Sequence, residues 1–201
     1  MGGLDGGDPG VVLKELQDRA ARPVALRLRN VNPALITASS LSAAGGAGIS
    51  ILFGHFGYAA LLLFACIGLD ALDGAVARVS GRSSRLGDLL DHVSDRYADM
   101  WVLSAIALSG EVRLWVSLLA ITGVAITSYL GVQGQALGAG RVYTGPMARA
   151  FRYLYLSVLS ALRHAYGSAR ILDLGILAFG LMAHATAAQR FAILYRRLRN
   201  A

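Results

Sequence analysis

Six aspartates lie within one thirty-residue stretch of a 201-residue chain that has only 12 acidic residues. They are Asp70, Asp73, Asp88, Asp91, Asp95 and Asp99. The first two are three residues apart, and the last four are separated by three, four and four residues, so each set predicts one face of a helix. Carboxylate oxygens are ligands that suit Mg²⁺ and Mn²⁺. We therefore interpret Asp70, Asp73, Asp91 and Asp95 as ligands of a divalent cation, whereas Asp88 and Asp99 could each instead solvate a helix end or form an ion pair.

Small residues and one arginine accompany these carboxylates. Gly74 directly follows Asp73 and has no side chain, so a phosphate or a sugar could approach the backbone there. Arg78 lies one turn further along, and its guanidinium offers a fork of donors to a phosphate. An arginine after an apolar segment can also simply mark the cytoplasmic side of a membrane. The neighbouring carboxylates favour the phosphate-binding interpretation of Arg78.

The elements that position these residues are predicted to be membrane helices. Hydrophobic residues make up 55% of the chain, charged residues make up 15%, and the mean hydropathy is +0.54, whereas soluble domains carry roughly 25% charged residues. At about 20 apolar residues per span, the sequence predicts an all-α integral membrane protein with six transmembrane helices. The predicted spans lie at about 34–53, 58–79, 93–109, 112–137, 150–166 and 171–195.

The segment before the first span has a different character. Residues 9–30 combine Val and Leu at helical spacing with basic side chains, which predicts an amphipathic helix at the surface of an anionic leaflet. We expect a cytoplasmic N-terminal segment over residues 1–32 and a six-helix membrane domain over residues 33–201. Cys66 is the single cysteine, so a disulfide framework and a Cys-based zinc site are excluded.

Basic residues divide unevenly between the two ends of the predicted helices. With the N-terminus inside, fourteen Lys and Arg residues fall on the cytoplasmic side, and only Arg113, Arg163 and Arg170 fall on the other. Positive charge concentrates in cytoplasmic loops. The sequence therefore predicts a multi-pass protein of the cell membrane with both termini and the acidic cluster in the cytoplasm. The net charge of +7 then reflects topology, and no nucleic-acid partner is expected.

The acidic segment follows a defined pattern, D-x2-D-G-x2-A-R-x8-G-x3-D-x3-D, over residues 70–95. At every defined position it resembles the signature of the CDP-alcohol phosphotransferases, also called CDP-alcohol phosphatidyltransferases. The resemblance implies a six-helix membrane enzyme, usually a homodimer, with a polar cavity open to the cytoplasm. Such enzymes join an alcohol to the phosphate of a CDP-linked lipid and release CMP.

The resemblance also implies roles for individual residues and two bound Mg²⁺ or Mn²⁺ ions. Asp70, Asp73 and Asp91 would be metal ligands, and Asp95 would contact the second metal and act as the general base. The CDP-binding residues would be Pro33, Thr37, Asp70, Gly74, Ala77 and Arg78. Pro33 and Thr37 belong to a weaker motif at the entry to the first span, in which Asn32 and Pro33 are transposed relative to the family.

Three arginines suggest the nature of the acceptor alcohol. Arg149 and Arg152 lie at the cytoplasmic start of the fifth predicted span, and Arg190 lies within the sixth. Arginines that converge on a polar cavity suit a phosphate dianion, although topology and snorkelling would also explain their positions. Ser128, followed after the loop by Arg149 and Arg152, resembles the acceptor-phosphate site of the inositol-phosphate branch of the family, and Arg190 joins this predicted site as the arginine within a span.

Gly131 departs from that branch, in which a basic residue is common at this position. The favoured acceptor is inositol 1-phosphate, and glycerol 3-phosphate is the alternative. The non-enzyme alternative is a cation transporter that uses the aspartates as an ion path. The partners expected for an enzyme are a CDP-linked lipid donor, a small phosphorylated alcohol, membrane lipids and a second copy of the chain.

Overall fold

The computed structural model describes residues 21–82, 84–140, 142 and 144–200, and the regular structure within these ranges is entirely helical. Residues 21–27 are helical and precede six long helices. These are α1 (Pro33–Leu52), α2 (Phe56–Val79), α3 (Arg85–Leu108), α4 (Leu114–Ala136), α5 (Arg149–Tyr166) and α6 (Ala169–Arg199). The all-α prediction is confirmed. Residues 9–20 of the expected amphipathic helix lie outside the described part of the chain.

Local sequence explains where the functional helices begin. At the start of α1, the Asn32 side chain accepts a hydrogen bond from the Ala34 amide at 3.1 Å, and Pro33 occupies the first helical turn. At the start of α3, the Ser84 hydroxyl accepts from the Gly87 amide at 3.0 Å. Both side chains satisfy amides that a helix leaves without partners at its N-terminus.

Four of the helices, α1, α2, α4 and α6, are long and apolar enough to cross a membrane. The predicted spans at 93–109 and 150–166 coincide with α3 and α5, but these two helices carry more charge and do not meet the same criterion. α3 begins eight residues before the predicted span, because its first two turns carry three charged residues, Arg85, Asp88 and Asp91. The structure is thus that of an all-α membrane protein with four clearly apolar helices.

Close packing of small residues joins the helices, as expected where lipid supplies no hydrophobic drive. α1 packs on α2 and α3, α2 packs on α5, and α4 packs along α6. A Cβ atom added to Gly123 of α4 would lie 2.8 Å from the Ala183 Cβ of α6. The main core, with Leu63, Ile106 and Phe179 fully buried, connects all six helices.

A smaller apolar cluster holds the N-terminal residues against the end of α2. Ala21 and Ala25 are buried with Ile36 of α1 and Val76 of α2. The neighbouring side chains on the outer side of this segment are exposed. This contact places residues 21–31 beside the helix end that carries the acidic motif.

Candidate active site

Two adjacent helix ends bring three of the predicted ligands together. Asp70 of α2 and Asp91 and Asp95 of α3 each offer a carboxylate oxygen, and these atoms all lie within 4.8 Å of one another. The Asp91 Oδ1 atom is buried and has no hydrogen-bond partner among the described residues. Buried polar atoms normally have partners, so these residues fit a bound cation.

Asp73, the fourth predicted ligand, lies beside this group and has a different partner. Among the described residues it is not a member of the group of three carboxylates. Its side chain is buried, and its Oδ2 atom accepts a hydrogen bond from the Thr37 hydroxyl at 3.0 Å. Thr37 also donates to the Pro33 carbonyl oxygen at 3.3 Å. The two residues predicted from the weaker motif at the start of α1 are therefore connected to the acidic motif.

The predicted CDP-binding residues of α2 follow directly after Asp73. Gly74 lies under the Arg78 guanidinium, because an added Cβ atom would be 3.2 Å from Arg78 Nη1. Ala77 is partly buried, whereas Arg78 is exposed. The missing side chain at Gly74 leaves room for the arginine to fold back over the helix. A phosphate could approach this basic, open surface beside the carboxylates.

Arg149, predicted to bind the acceptor phosphate, instead contacts the acidic group. Its Nη1 atom forms ion pairs with Asp70 Oδ1 and with Asp95 Oδ1. The Arg149 guanidinium also lies over the Tyr153 ring, 5.3 Å from its centroid. Neither this bridge between α2 and α3 nor the packing of Tyr153 was predicted, because both depend on how α5 packs against α2.

Arg152 lies one turn further along α5 in a buried polar cluster. Its Nη2 atom donates to Asp99 Oδ2 at 2.8 Å, and its Nη1 atom donates to the Ser128 hydroxyl at 3.2 Å. Arg152 and Asp99 are both only 4% exposed. Arg96 Nη2 also approaches Asp99 Oδ2, at 3.4 Å. Asp99 could solvate a helix end or form an ion pair, and the structure favours the ion pair.

Arg190 of α6 contacts both α4, next to Ser128, and the connection between α4 and α5. This buried arginine donates from Nε to the Thr144 carbonyl at 3.0 Å and from Nη1 to the Thr127 carbonyl at 2.8 Å. An added Cβ at Gly131 would lie 3.4 Å from Arg190 Nη1. One turn of α4 therefore lies between Arg152 and Arg190. The structure brings the predicted acceptor residues to one end of the bundle, in two neighbouring clusters.

Comparison with known proteins assigns the chain to a family. The sequence model of the CDP-alcohol phosphatidyltransferases matches residues 30–188. An archaetidylinositol phosphate synthase from Pyrococcus horikoshii is 38% identical over 92 residues, which cover 46% of this chain and 49% of the relative. The match thus spans about half of that relative. An enzyme of the same name from Methanothermobacter thermautotrophicus is 28% identical over 191 residues, covering 94% of this chain and 93% of the relative.

A solved structure confirms the fold. The phosphatidylinositol phosphate synthase of Mycobacterium tuberculosis with CDP-DAG bound has a TM-score of 0.77 and 21% identity, covering 88% of this chain and 94% of the mycobacterial one. The same mycobacterial enzyme has also been solved in complex with manganese and citrate, with a TM-score of 0.76, 22% identity and coverage of 87% and 88%. With most of its length matched, this chain belongs to the CDP-alcohol phosphatidyltransferase family.

Proposed function

We propose that this protein transfers the phosphatidyl-type group of a CDP-linked lipid to inositol 1-phosphate and releases CMP. The observation that carries the proposal is the convergence of Asp70, Asp91 and Asp95 next to an arginine-rich cluster at the same end of the bundle. Two curated relatives are named archaetidylinositol phosphate synthases, and the mycobacterial neighbour is a phosphatidylinositol phosphate synthase. These names favour an inositol phosphate acceptor.

The reaction exchanges one oxygen for another at phosphorus. The acceptor hydroxyl oxygen forms a bond to the phosphorus that carries the lipid, and the bond from that phosphorus to the bridging oxygen breaks, so CMP leaves with that oxygen. The hydroxyl proton passes to the Asp95 carboxylate. Asp70, Asp73 and Asp91, with Asp95, would hold two Mg²⁺ or Mn²⁺ ions. When bound, such ions neutralise the diphosphate and acidify the attacking hydroxyl.

The donor and the acceptor occupy different sides of this centre in the proposal. The cytidine diphosphate would bind between the start of α1 and the end of α2. The residues that would contact it are Pro33, Thr37, Asp70, Gly74, Ala77 and Arg78. The acceptor phosphate would bind Ser128, Arg149, Arg152 and Arg190. The contact between Ser128 and Arg152 and the contact between the neighbouring Thr127 carbonyl and Arg190 support this grouping.

Six transmembrane helices with both termini and the active site in the cytoplasm complete the proposal. Residues 33–201 would form the membrane domain of a homodimer, and residues 1–32 an interfacial N-terminal segment with an amphipathic helix. This orientation is supported by two arginines at the opposite end of the bundle, because each forms an ion pair with an acidic residue and therefore adds no net charge to that end. Arg113 contacts Asp173 and Arg163 contacts Glu111, at 2.6 and 2.8 Å. The net positive charge is thereby concentrated at the end that holds the site.

Glycerol 3-phosphate remains a second candidate acceptor, because Gly131 supplies no basic side chain beside Arg190. The test is release of CMP by the purified protein in detergent with Mg²⁺ or Mn²⁺. Inositol 1-phosphate, glycerol 3-phosphate, free inositol and serine are compared, each with CDP-diacylglycerol and with CDP-archaeol. We expect inositol 1-phosphate to give the highest kcat/KM. Equal use of free inositol or serine would contradict a phosphate-binding acceptor site, and no CMP release with any acceptor would favour the cation-transporter alternative.

A further inference from the structure

One nitrogen atom lies between two of the carboxylates that fit a metal ion. We propose that Arg149 is the internal counter-cation of the metal-free site: its guanidinium neutralises Asp70 and Asp95 until a divalent cation displaces it toward the acceptor phosphate. This inference rests on the proposed metal site. It adds that the predicted acceptor-binding arginine and the cation compete for the same carboxylates.

The contacts of Arg149 place it where a cation would be needed. The same Nη1 atom forms ion pairs with Asp70 Oδ1 and Asp95 Oδ1, and both acids belong to the group of three converging carboxylates. The Arg149 side chain is 14% exposed, so water screens these interactions only partly. Clustered carboxylates repel one another unless a positive charge compensates them, and a single guanidinium supplies one such charge.

The compensation is incomplete in a way that favours replacement by a metal. Asp91 Oδ1 stays buried without a hydrogen-bond partner in the described structure, although it belongs to the same group. A divalent cation carries twice the charge and can coordinate all three carboxylates. Binding of the cation therefore satisfies the group more fully than Arg149 does, and it removes the reason for Arg149 to stay there.

The position of Arg149 in the chain allows it to move. It is the first residue of α5 and follows a connection in which Gly138, Gly140 and Gly145 adopt positive φ angles. The guanidinium also lies over the Tyr153 ring, one turn further along α5, in a cation–π contact. Arg152, by contrast, donates to Asp99 and Ser128, neither of which belongs to the group of three.

Displacement would link the steps of the reaction. While Arg149 contacts Asp95, that carboxylate is engaged with a guanidinium rather than with an incoming hydroxyl. When the cation displaces Arg149, Asp95 becomes available and the guanidinium becomes available for an anion. Binding of the cation and binding of the acceptor phosphate should therefore strengthen each other, since such coupling is reciprocal.

The test is Mn²⁺ binding to the purified full-length protein, measured by titration calorimetry and by the loss of the free Mn²⁺ electron paramagnetic resonance signal. We expect Arg149→Gln to bind Mn²⁺ about tenfold more tightly than wild type, and to have a lower Tm than wild type only when metal is absent. Arg149→Lys keeps the charge and should lie between the two. Equal Mn²⁺ affinity in all three proteins, or weaker binding by Arg149→Gln, would overturn the inference.

Arg96→Gln is the matched control, because it removes a positive charge from the same region, but its guanidinium contacts only Asp95 of the three converging carboxylates and its main contact is Asp99. Arg96 Nη2 lies 3.9 Å from Asp95 Oδ2, and its side chain is 43% exposed. We expect its Mn²⁺ affinity to change about threefold or less. An equal gain in Mn²⁺ affinity in Arg96→Gln and Arg149→Gln would show that the gain comes from the loss of a nearby positive charge, and it would refute displacement. If neither wild type nor Arg149→Gln binds Mn²⁺, the proposed metal site is wrong. If both bind Mn²⁺ with the same affinity, the metal site stands and only the proposed role of Arg149 is wrong.

Discussion

At the scale of single residues, the structure gives different surroundings to the aspartates that share one face of α3. Asp91 has a buried Oδ1 atom without a hydrogen-bond partner among the described residues, and it belongs to the group that it forms with Asp70 and Asp95. Asp88, one turn earlier on α3, has a side chain that is 74% exposed and lies near His92. Asp99, two turns after Asp91, is buried against Arg152. Burial and contacts thus distinguish three roles on one face of α3: Asp91 fits cation binding, Asp88 is solvated, and Asp99 forms an ion pair.

The contrast between Asp91 and Asp88 gives a first prediction. Asp91→Asn should lower CMP release by about 100-fold or more, because loss of even an outer-shell partner of a metal ligand costs 10- to 100-fold and Asp91 is itself a proposed ligand. Mn²⁺ affinity should fall in parallel. Asp88→Asn makes the same chemical change on the same helix and should leave both quantities near wild type. Similar losses in the two variants would contradict the assignment of Asp91.

The buried pair of Asp99 and Arg152 gives a second prediction. Asp99→Asn should lower the free energy of unfolding by about 3–5 kcal/mol, because it leaves Arg152 buried without its counter-charge. Replacing both residues together, as Asp99→Leu with Arg152→Met, should recover most of this loss, since apolar side chains of similar size often substitute for a buried ion pair. Denaturation of the purified variants measures both effects.

Kinetic measurements with the acceptor distinguish a structural role of Arg152 from a role in acceptor binding. If Arg152 binds the acceptor phosphate, the stable double variant should still have a raised KM for inositol 1-phosphate with little change in the KM for the CDP-lipid. A normal acceptor KM in the double variant would make Arg152 a purely structural residue.

At the scale of helices, much of the fold is predictable because apolar length and helix-breaking residues are local signals. α1 begins at Pro33, one residue before the predicted first span, and the predicted spans each fall on a helix. The predicted span at 93–109 omits the charged start of α3 at Arg85, since hydropathy marks where a helix can enter lipid and not where it begins, whereas the spacing of the aspartates indicated a helix from about Asp88. The contacts between Arg149 and Asp70 and between Arg152 and Asp99 could not be predicted, because they join residues 79 and 53 positions apart and depend on packing.

The packing of α4 on α6 gives a prediction at this scale. Gly123→Ala should lower stability by about 1–3 kcal/mol, because the added Cβ would lie 2.8 Å from the Ala183 Cβ and 3.2 Å from the Gly180 carbonyl oxygen. That corresponds to about 2–4 °C in Tm per kcal/mol for a chain of this size. Gly68→Ala is the control, because a Cβ added within α2 there meets no atom within 4 Å. A loss of Tm in both variants would indicate that helix packing is not the cause.

At the scale of the whole molecule, chemistry and charge share one end of the helix bundle. The carboxylates of Asp70 and Asp95, the arginines of α5 and the end of α6 that carries Arg190 meet there through the contacts of Arg149, Arg152 and Arg190. The opposite end contains the pairs Arg113–Asp173 and Arg163–Glu111. This asymmetry agrees with the proposed orientation, since the basic end of a membrane protein tends to stay in the cytoplasm.

The orientation gives the last prediction, tested by labelling intact cells with a membrane-impermeant maleimide. Asn200→Cys lies just after α6, at the basic end, and should react only after the cells are permeabilised. Tyr166→Cys lies at the last residue of α5, at the opposite end, where the native side chain is 71% exposed, and should react in intact cells. Wild type is the control, because its single thiol, that of Cys66, is buried. The reverse labelling pattern would place the acidic cluster outside the cytoplasm, and labelling of both variants from the same side would contradict a single crossing of the membrane by α6.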